Sequence, residues 1–200
     1  MQLIRFLLPL SLLGAVAMAA ASPSRTATEP QERAPELVAT RSGASGELAL
    51  AGREVFHRSP DQVQDARLLR LPSARILAAV WSQVDARGVR TPWYAVSLDG
   101  RSFQAVRPTS YTIDLARASF DPLAQTPDFS TSTLDWDGEV YLVQFQTQVL
   151  AEYRAALEGL GARIYDHLVH HTLIVRMSPA VRRAVAALEV VLWVGPFHAE

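Results

Sequence analysis

The chain has 200 residues, 49% of them hydrophobic, and a formal net charge of −1. This length allows one or two small domains. The near-neutral charge, without a basic or acidic block, argues against nucleic acid or an acidic membrane surface as a partner. The chain has no cysteine, which excludes a disulfide framework, a thiolate metal site and a cysteine nucleophile.

The first 21 residues have the layout of a secretory signal peptide. Arg5 supplies the positive charge, an apolar run follows from Phe6 to Val16, and small residues then end it. The A-x-A pattern places cleavage after Ala19 or Ala21. The alternative is a membrane anchor, but the run is shorter than the roughly 20 residues that a spanning helix needs. We therefore expect a secreted or periplasmic protein that leaves the membrane once the signal peptide is removed.

Residues 22–138 divide into three parts by composition. Residues 22–46 have no periodicity and are typical of a flexible linker. Residues 47–117 are β-rich, with strand-like apolar runs at 74–81 and 93–98. Residues 118–138 are interrupted by prolines, and we interpret them as a connection.

A short motif follows the second of these strands. Ser97, Asp99, Gly100 and Phe103 resemble the Asp-box hairpin of sialidase-type propellers, in which Ser and Asp tie the turn and an aromatic packs beneath it. A propeller needs several such blades, and the chain has one copy. The motif therefore predicts a self-stabilised hairpin in a small β-domain.

From Glu139 onward the periodicity alternates between strand and helix. The predicted order is β-α-β-β-α-β, with Gly161 ending the first helix and Ser178-Pro179 starting the second. The predicted fold class is α+β: a ferredoxin-like βαββαβ unit at residues 139–200, preceded by a small β-rich segment.

In this plan both helices lie on one face of the sheet, and the other face has no cover within the unit. The uncovered face is predicted to carry Leu142, Gln144, Tyr165, His167, Ile174, Arg176 and Trp193. Such a mixture suits an interface. Two covers are compatible with the sequence: another protein or domain, or the preceding β-rich segment of the same chain.

The strand sequences of this unit resemble a known family. The segments concerned are Val140–Phe145, Leu160–Ala162, His171–Met177 and Leu192–His198. They are similar to the propeptide-type domain that precedes the catalytic domain of secreted subtilisin-like serine proteases. Tyr94–Gly100 and Phe120–Leu123 resemble, more loosely, what precedes that domain in large exported bacterial subtilases.

The resemblance implies a non-catalytic protein that assists folding of a subtilisin-like protease domain and inhibits it, in cis or in trans. The chain would be either a fragment of a protease precursor or a stand-alone relative. The residues implied to contact the protease are Leu142, Gln144, Tyr165, Ile174, Trp193, Pro196, Phe197 and His198.

The residues themselves indicate no catalysis. The Asp, His and Ser motifs of a subtilase are absent, as is Gly-x-Ser-x-Gly, and His57, Ser59 and Asp61 are neighbours in sequence only. Three histidines, His167, His170 and His171, are either metal ligands or turn residues, and the sequence favours a turn. We expect no cofactor. The rival interpretation is a secreted adhesion or carbohydrate-facing β-module, which depends on the Asp-box-like hairpin and on Trp81, Trp93 and Tyr94.

Overall fold

The structure is a computed structural model that describes residues 35–42, 45–71, 74–116, 118–125 and 139–197. All of these belong to one compact unit, Pro35–Glu200. The predicted signal peptide, with Ala19 and Ala21, lies outside the described residues, and so does His198.

The first sheet has three antiparallel strands in the order β1-β2-β3. They are β1 (Leu37–Ser42), β2 (Ser45–Leu50) and β3 (Val55–Ser59). The expected linker 22–46 is therefore wrong from residue 37 onward. Its end is structured because β2 alternates, with Leu48 and Leu50 buried, and because β1 pairs along the whole of β2.

The second sheet is an antiparallel meander in the order β4-β5-β6-β7. Its strands are β4 (Gln62–Arg70), β5 (Leu77–Val84), β6 (Arg90–Ser97) and β7 (Arg107–Pro108). Both faces of the meander are covered. Ala79, Trp81 and Ala95 pack with Leu48 of the first sheet, whereas the opposite face belongs to the main core.

A small hairpin lies between the meander and the C-terminal elements. It consists of β8 (Ile113–Asp114) and β9 (Ser119–Phe120), which pair with each other. Leu115 N donates a hydrogen bond to Ala118 O at 2.8 Å, and Ser119 Oγ donates to Asp114 Oδ1 at 2.6 Å. This hairpin begins inside the expected β-rich segment and ends inside the expected connection.

The last six elements are β10 (Val140–Phe145), α1 (Ala151–Gly159), β11 (Arg163–Leu168), β12 (Thr172–Arg176), α2 (Pro179–Ala186) and β13 (Val191–Pro196). The sheet is antiparallel in the order β11-β12-β10-β13. Both predicted helix signals are confirmed. Ser178 Oγ accepts a hydrogen bond from Val181 N at 3.3 Å, and Gly161 has a φ of +95°, which favours glycine after a helix.

The predicted fold class, α+β with a ferredoxin-like βαββαβ unit, is wrong. Within the described residues 48% is strand and 12% is helix, in four antiparallel sheets with two helices. The chain is mostly β because residues 37–120 contribute nine of its strands. The helices, in contrast, are only nine and eight residues long.

The main core joins the meander to the C-terminal elements. Val80, Tyr94 and Val96 of the meander belong to the same buried cluster as Phe145 and Tyr153. The rings of Phe145 and Tyr153 stack at 5.3 Å. The two regions therefore share one hydrophobic core.

Candidate binding surface on the C-terminal sheet

The two faces of the C-terminal sheet follow from the alternation along its strands. Tyr141, Val143 and Phe145 point into the main core beside the helices. Leu142 and Gln144 point to the other side, which we call the hairpin face. Its neighbours across the sheet are Ile174, Thr172 and Trp193, which pair with β10 in register.

The β8–β9 hairpin covers the middle of the hairpin face. Ile113 and Phe120 form a buried cluster with Leu142, against which Ile174 and Trp193 also pack. The ring of Phe120 meets that of Trp193 edge-on, with centroids 5.7 Å apart. Of the two covers compatible with the sequence, the structure therefore has the one from the same chain.

Polar contacts hold the segment that leads into the hairpin. Gln144 is fully buried, and its Nε2 donates to Tyr111 O at 3.0 Å and to His170 O at 3.1 Å. The Tyr111 hydroxyl donates to Gln146 O at 2.9 Å. Burial raises the pKa of Tyr111 to about 12, because the charged phenolate would be poorly solvated. The hydroxyl therefore remains a donor at every physiological pH.

A β-bulge in β11 changes which of its side chains lie on each face of the sheet. The pairing register shifts between Ile164 and Asp166, so that Tyr165 is the extra residue. Beyond the bulge Leu168, not His167, lies with the hairpin-face cluster. The predicted place of His167 on that face is therefore wrong, because simple alternation fails at a bulge.

An exposed band of side chains remains at one end of the hairpin face. We define it as Arg163, Tyr165 and Arg176, which are exposed, together with Glu139 and Phe197, which are half-buried at its edges. Pairing places Arg163 opposite Arg176 and Arg176 opposite Val140. Phe197 N donates to Val140 O at 3.2 Å, so that these residues form one row across the sheet.

Tyr165 is fixed within this band. Its side chain is 49% exposed, and the guanidinium carbon of Arg163 lies 5.3 Å from its ring centre. Nε and Nη2 of Arg176 donate to Glu139 Oε2 at 2.8 and 2.6 Å. Hydrogen bonds to Glu139 and Tyr165 raise the pKa of Arg176. The band thus presents a positioned aromatic ring beside two permanently charged arginines.

The residues implied to contact a protease differ in how far they are buried in the structure. Leu142 and Gln144 are fully buried, and Ile174 and Trp193 are half-buried beneath the hairpin. Tyr165 is exposed, whereas Phe197 is half-buried and packs against the same hairpin cluster at the edge of the exposed band. Pro196 pairs with Tyr141 and so faces the opposite side. Contact of any of these residues with a protease stays a prediction.

The Asp-box-like turn is held by its own aspartate. Asp99 Oδ1 accepts hydrogen bonds from Ser97 Oγ, Arg101 N and Ser102 N at 2.7–2.8 Å, and Oδ2 accepts one from Ser102 Oγ at 2.7 Å. These bonds hold the pKa of Asp99 well below its usual range. Phe103 packs on Phe56 with centroids 4.3 Å apart. The prediction of a self-stabilised hairpin is confirmed.

The aromatics near this turn do not form a platform for a glycan. Trp81 and Tyr94 are only 3% and 4% exposed, and Trp93 is half-buried and packs with the same small cluster as Trp81. The carbohydrate-facing alternative therefore lacks the exposed rings on which it depended.

The histidines between β11 and β12 form a turn, as the sequence favoured. His170 and His171 have φ values of +55° and +63°. His171 Nε2 lies 2.8 Å from Thr109 Oγ1, and its ring meets Tyr94 edge-on at 5.5 Å. Burial, with a smaller effect of His170, lowers the pKa of His171 to about 4. Among the described residues no group of His, Asp and Glu side chains could hold a metal ion.

Comparison with known proteins gives one match. The model of a family described as Domain of unknown function (DUF8729) matches residues 114–198. No curated protein matches the chain, and no solved structure does. The matched segment starts within β8 and so includes most of the hairpin as well as the sheet that it covers. No described helix has the length and apolar character needed to cross a bilayer.

Proposed function

We propose that the protein is a non-catalytic binding module, acting outside the cytoplasm, that assists folding of a subtilisin-like serine protease domain and inhibits it. The proposal rests on the strand sequences that resemble protease propeptides and on one structural observation, the exposed band. The partner is a protease domain either joined to this chain or separate from it.

The exposed band is suited to bind protein. Tyrosine and arginine are enriched at interfaces because they combine apolar area with directed hydrogen bonds. Tyr165 is held by Arg163 and Arg176, so that little side-chain entropy is lost when a partner packs on it. Phe197, at the other side of the row, adds apolar area where the described chain ends.

The test is inhibition of subtilisin by the purified full chain, measured as hydrolysis of a chromogenic peptide. We expect inhibition at micromolar concentration and a higher yield when the denatured protease is refolded in its presence. The double variant Tyr165→Ala, Phe197→Ala should need a concentration about tenfold higher, as expected for interface anchors.

Val169→Ala is the matched control. Val169 is 60% exposed and lies in the turn at the opposite end of β11. This variant removes exposed apolar surface, though less than the double variant does, without touching the exposed band, and inhibition should be unchanged. The proposal fails if the folded protein leaves a panel of subtilisin-like proteases unaffected at high micromolar concentration.

A further inference from the structure

Three of the side chains implied to contact the protease, Leu142, Ile174 and Trp193, lie beneath the β8–β9 hairpin. A fourth, Gln144, is covered by Tyr111 just before β8. The covered area continues directly into the exposed band. Residues two apart in a strand share a face, so that Arg176 lies on the same face of β12 as Ile174, and Val140 lies on the same face of β10 as Leu142. The hairpin therefore covers the apolar part of one surface and leaves Arg163, Tyr165 and Arg176 exposed at its end.

The hairpin is attached mainly by side chains. β8 and β9 have two residues each, and within the described residues these strands pair only with each other. In the part of the chain that the structure describes, no ladder of backbone hydrogen bonds joins them to the C-terminal sheet. Opening exposes Ile113 and Phe120, which are buried against Leu142, but it separates no strands of the C-terminal sheet. Small supersecondary units are among those that open locally, below the cost of global unfolding.

The sheet beneath is held independently of the hairpin. β10 lies between β12 and β13 and is paired on both sides. Its other face packs into the main core through Val143 and Phe145. If the hairpin leaves, the uncovered face therefore keeps its shape, and a partner meets a preformed apolar surface.

One buried polar atom weakens the covered arrangement. Gln144 Oε1 has no hydrogen-bond partner among the described residues, although the residue is fully buried. An unsatisfied buried acceptor costs free energy. In the uncovered state, a partner or solvent can donate a hydrogen bond to this atom and so remove that cost. This favours the uncovered state over the covered one.

We infer that the β8–β9 hairpin is a built-in competitor: it occupies, within the chain, the apolar part of the surface that the protease takes. This inference rests on the proposed function for the identity of the partner, but not for the release of the hairpin. Binding then selects the minor, open state, and the apparent affinity is reduced by the fraction of molecules that are open.

Release is tested first without any protease. Phe120→Ala removes the ring that meets Trp193, and we expect faster amide hydrogen exchange in residues 111–120 and stronger fluorescence of 8-anilinonaphthalene-1-sulfonate, which binds exposed apolar surface. Leu123→Ala is the control, since Leu123 is 62% exposed just after the hairpin. Circular dichroism establishes that each variant is folded, and Ile113→Val is the milder substitute if Phe120→Ala is not.

Inhibition of subtilisin then tests the competition. Folded Phe120→Ala should inhibit at a concentration at least about threefold lower than the wild type, because a larger fraction is open, and Leu123→Ala should match the wild type. Equal or weaker inhibition by the folded variant would overturn the inference while leaving the proposed function intact. If exchange and dye binding increase but neither protein inhibits, the proposed function fails and release of the hairpin stands. If exchange and dye binding do not change, the hairpin is a fixed part of the fold and the inference fails.

Discussion

The indole ring of Trp193 lies over the α-carbon of Gly195. A Cβ placed on Gly195 would stand 2.0 Å from Trp193 Cζ2 and 2.1 Å from Cη2. Both residues are on the hairpin face of β13, two positions apart. Because the indole occupies the space above the glycine, it presents its surface to Phe120, and the absence of a side chain at residue 195 thereby contributes to hairpin docking.

Gly195→Ala should therefore destabilise the protein. The added methyl group displaces the indole, and overpacking of this kind costs about 1–3 kcal/mol. Urea denaturation followed by tryptophan fluorescence measures the free energy of unfolding. Gly159→Ala is the control, since a Cβ there meets nothing within 4 Å and the residue is in α1. It should be neutral or stabilising by up to about 1 kcal/mol, and equal losses in both variants would contradict this account.

Tyr111→Phe should lower the free energy of unfolding by about 1–2 kcal/mol, because the buried carbonyl of Gln146 loses its donor. Tyr165→Phe, at an exposed position, should change it by less than about 0.5 kcal/mol. Burial raises the pKa of Tyr111 from the 10.0 of an ordinary tyrosine to about 12. Its contribution to stability is therefore present below pH 10 and is lost as the pH rises toward 12. Ultraviolet titration of the phenol absorbance in wild type and Tyr111→Phe tests this assignment.

His171 should make the protein less stable in acid. Its pKa falls from 6.5 to about 4 on folding, so that between these values the unfolded chain binds a proton that the folded chain does not. Stability therefore falls as the pH is lowered from 6.5 to 4 and levels off below. The size of the effect is about 1–2 kcal/mol after allowance for solvent screening.

The measurement is the difference in urea midpoint between wild type and His171→Asn at several pH values. Asparagine tolerates the left-handed backbone of this position. We expect the variant to lose part of the acid dependence, and His57, whose pKa burial also lowers, to carry part of the remainder. Identical pH slopes in the two proteins would exclude His171 as the group responsible.

Asp99→Ala should lower the melting temperature, because the turn loses the acceptor of four hydrogen bonds. Asp99→Asn keeps one acceptor oxygen and should lose less. The pKa of Asp99 lies well below its usual range, so that its contribution is present above pH 3.8 and is lost as the pH falls through the folded value. Thermal melts of both variants at pH 7 decide the order, and a larger loss in Asp99→Asn would contradict it.

Local signals were predictable from the sequence. Ser178 as an N-cap and Gly161 after a helix depend on the backbone conformations that these residues favour, and the Asp99 turn depends on residues within a few positions. Reasoning from local sequence predicts the wrong face for His167, because no residue near Tyr165 indicates that a bulge occurs there. Local sequence also led to an overestimate of the helical content. An apolar stripe at helical spacing predicts that a helix is present, but it does not predict what fraction of the fold is helical.

Docking of the hairpin could not be derived in this way. β8 and β9 are too short to show an alternating pattern, and their partners Leu142 and Trp193 are far along the chain. A contact between Phe120 and Trp193 is a property of tertiary packing, and periodicity carries no information on it. The sequence therefore identified the uncovered face and its two possible covers, but not which of them is present.

The core shared by Val80, Val96 and Tyr153 has a practical consequence for work on fragments. The sequence analysis predicts a unit at residues 139–200. A protein truncated to these residues would expose the apolar surface that the meander covers and would be prone to aggregate. The same holds for a piece cut at residue 114, where the family match begins. That match marks a stretch of related sequence, whereas the compact unit of the structure is Pro35–Glu200.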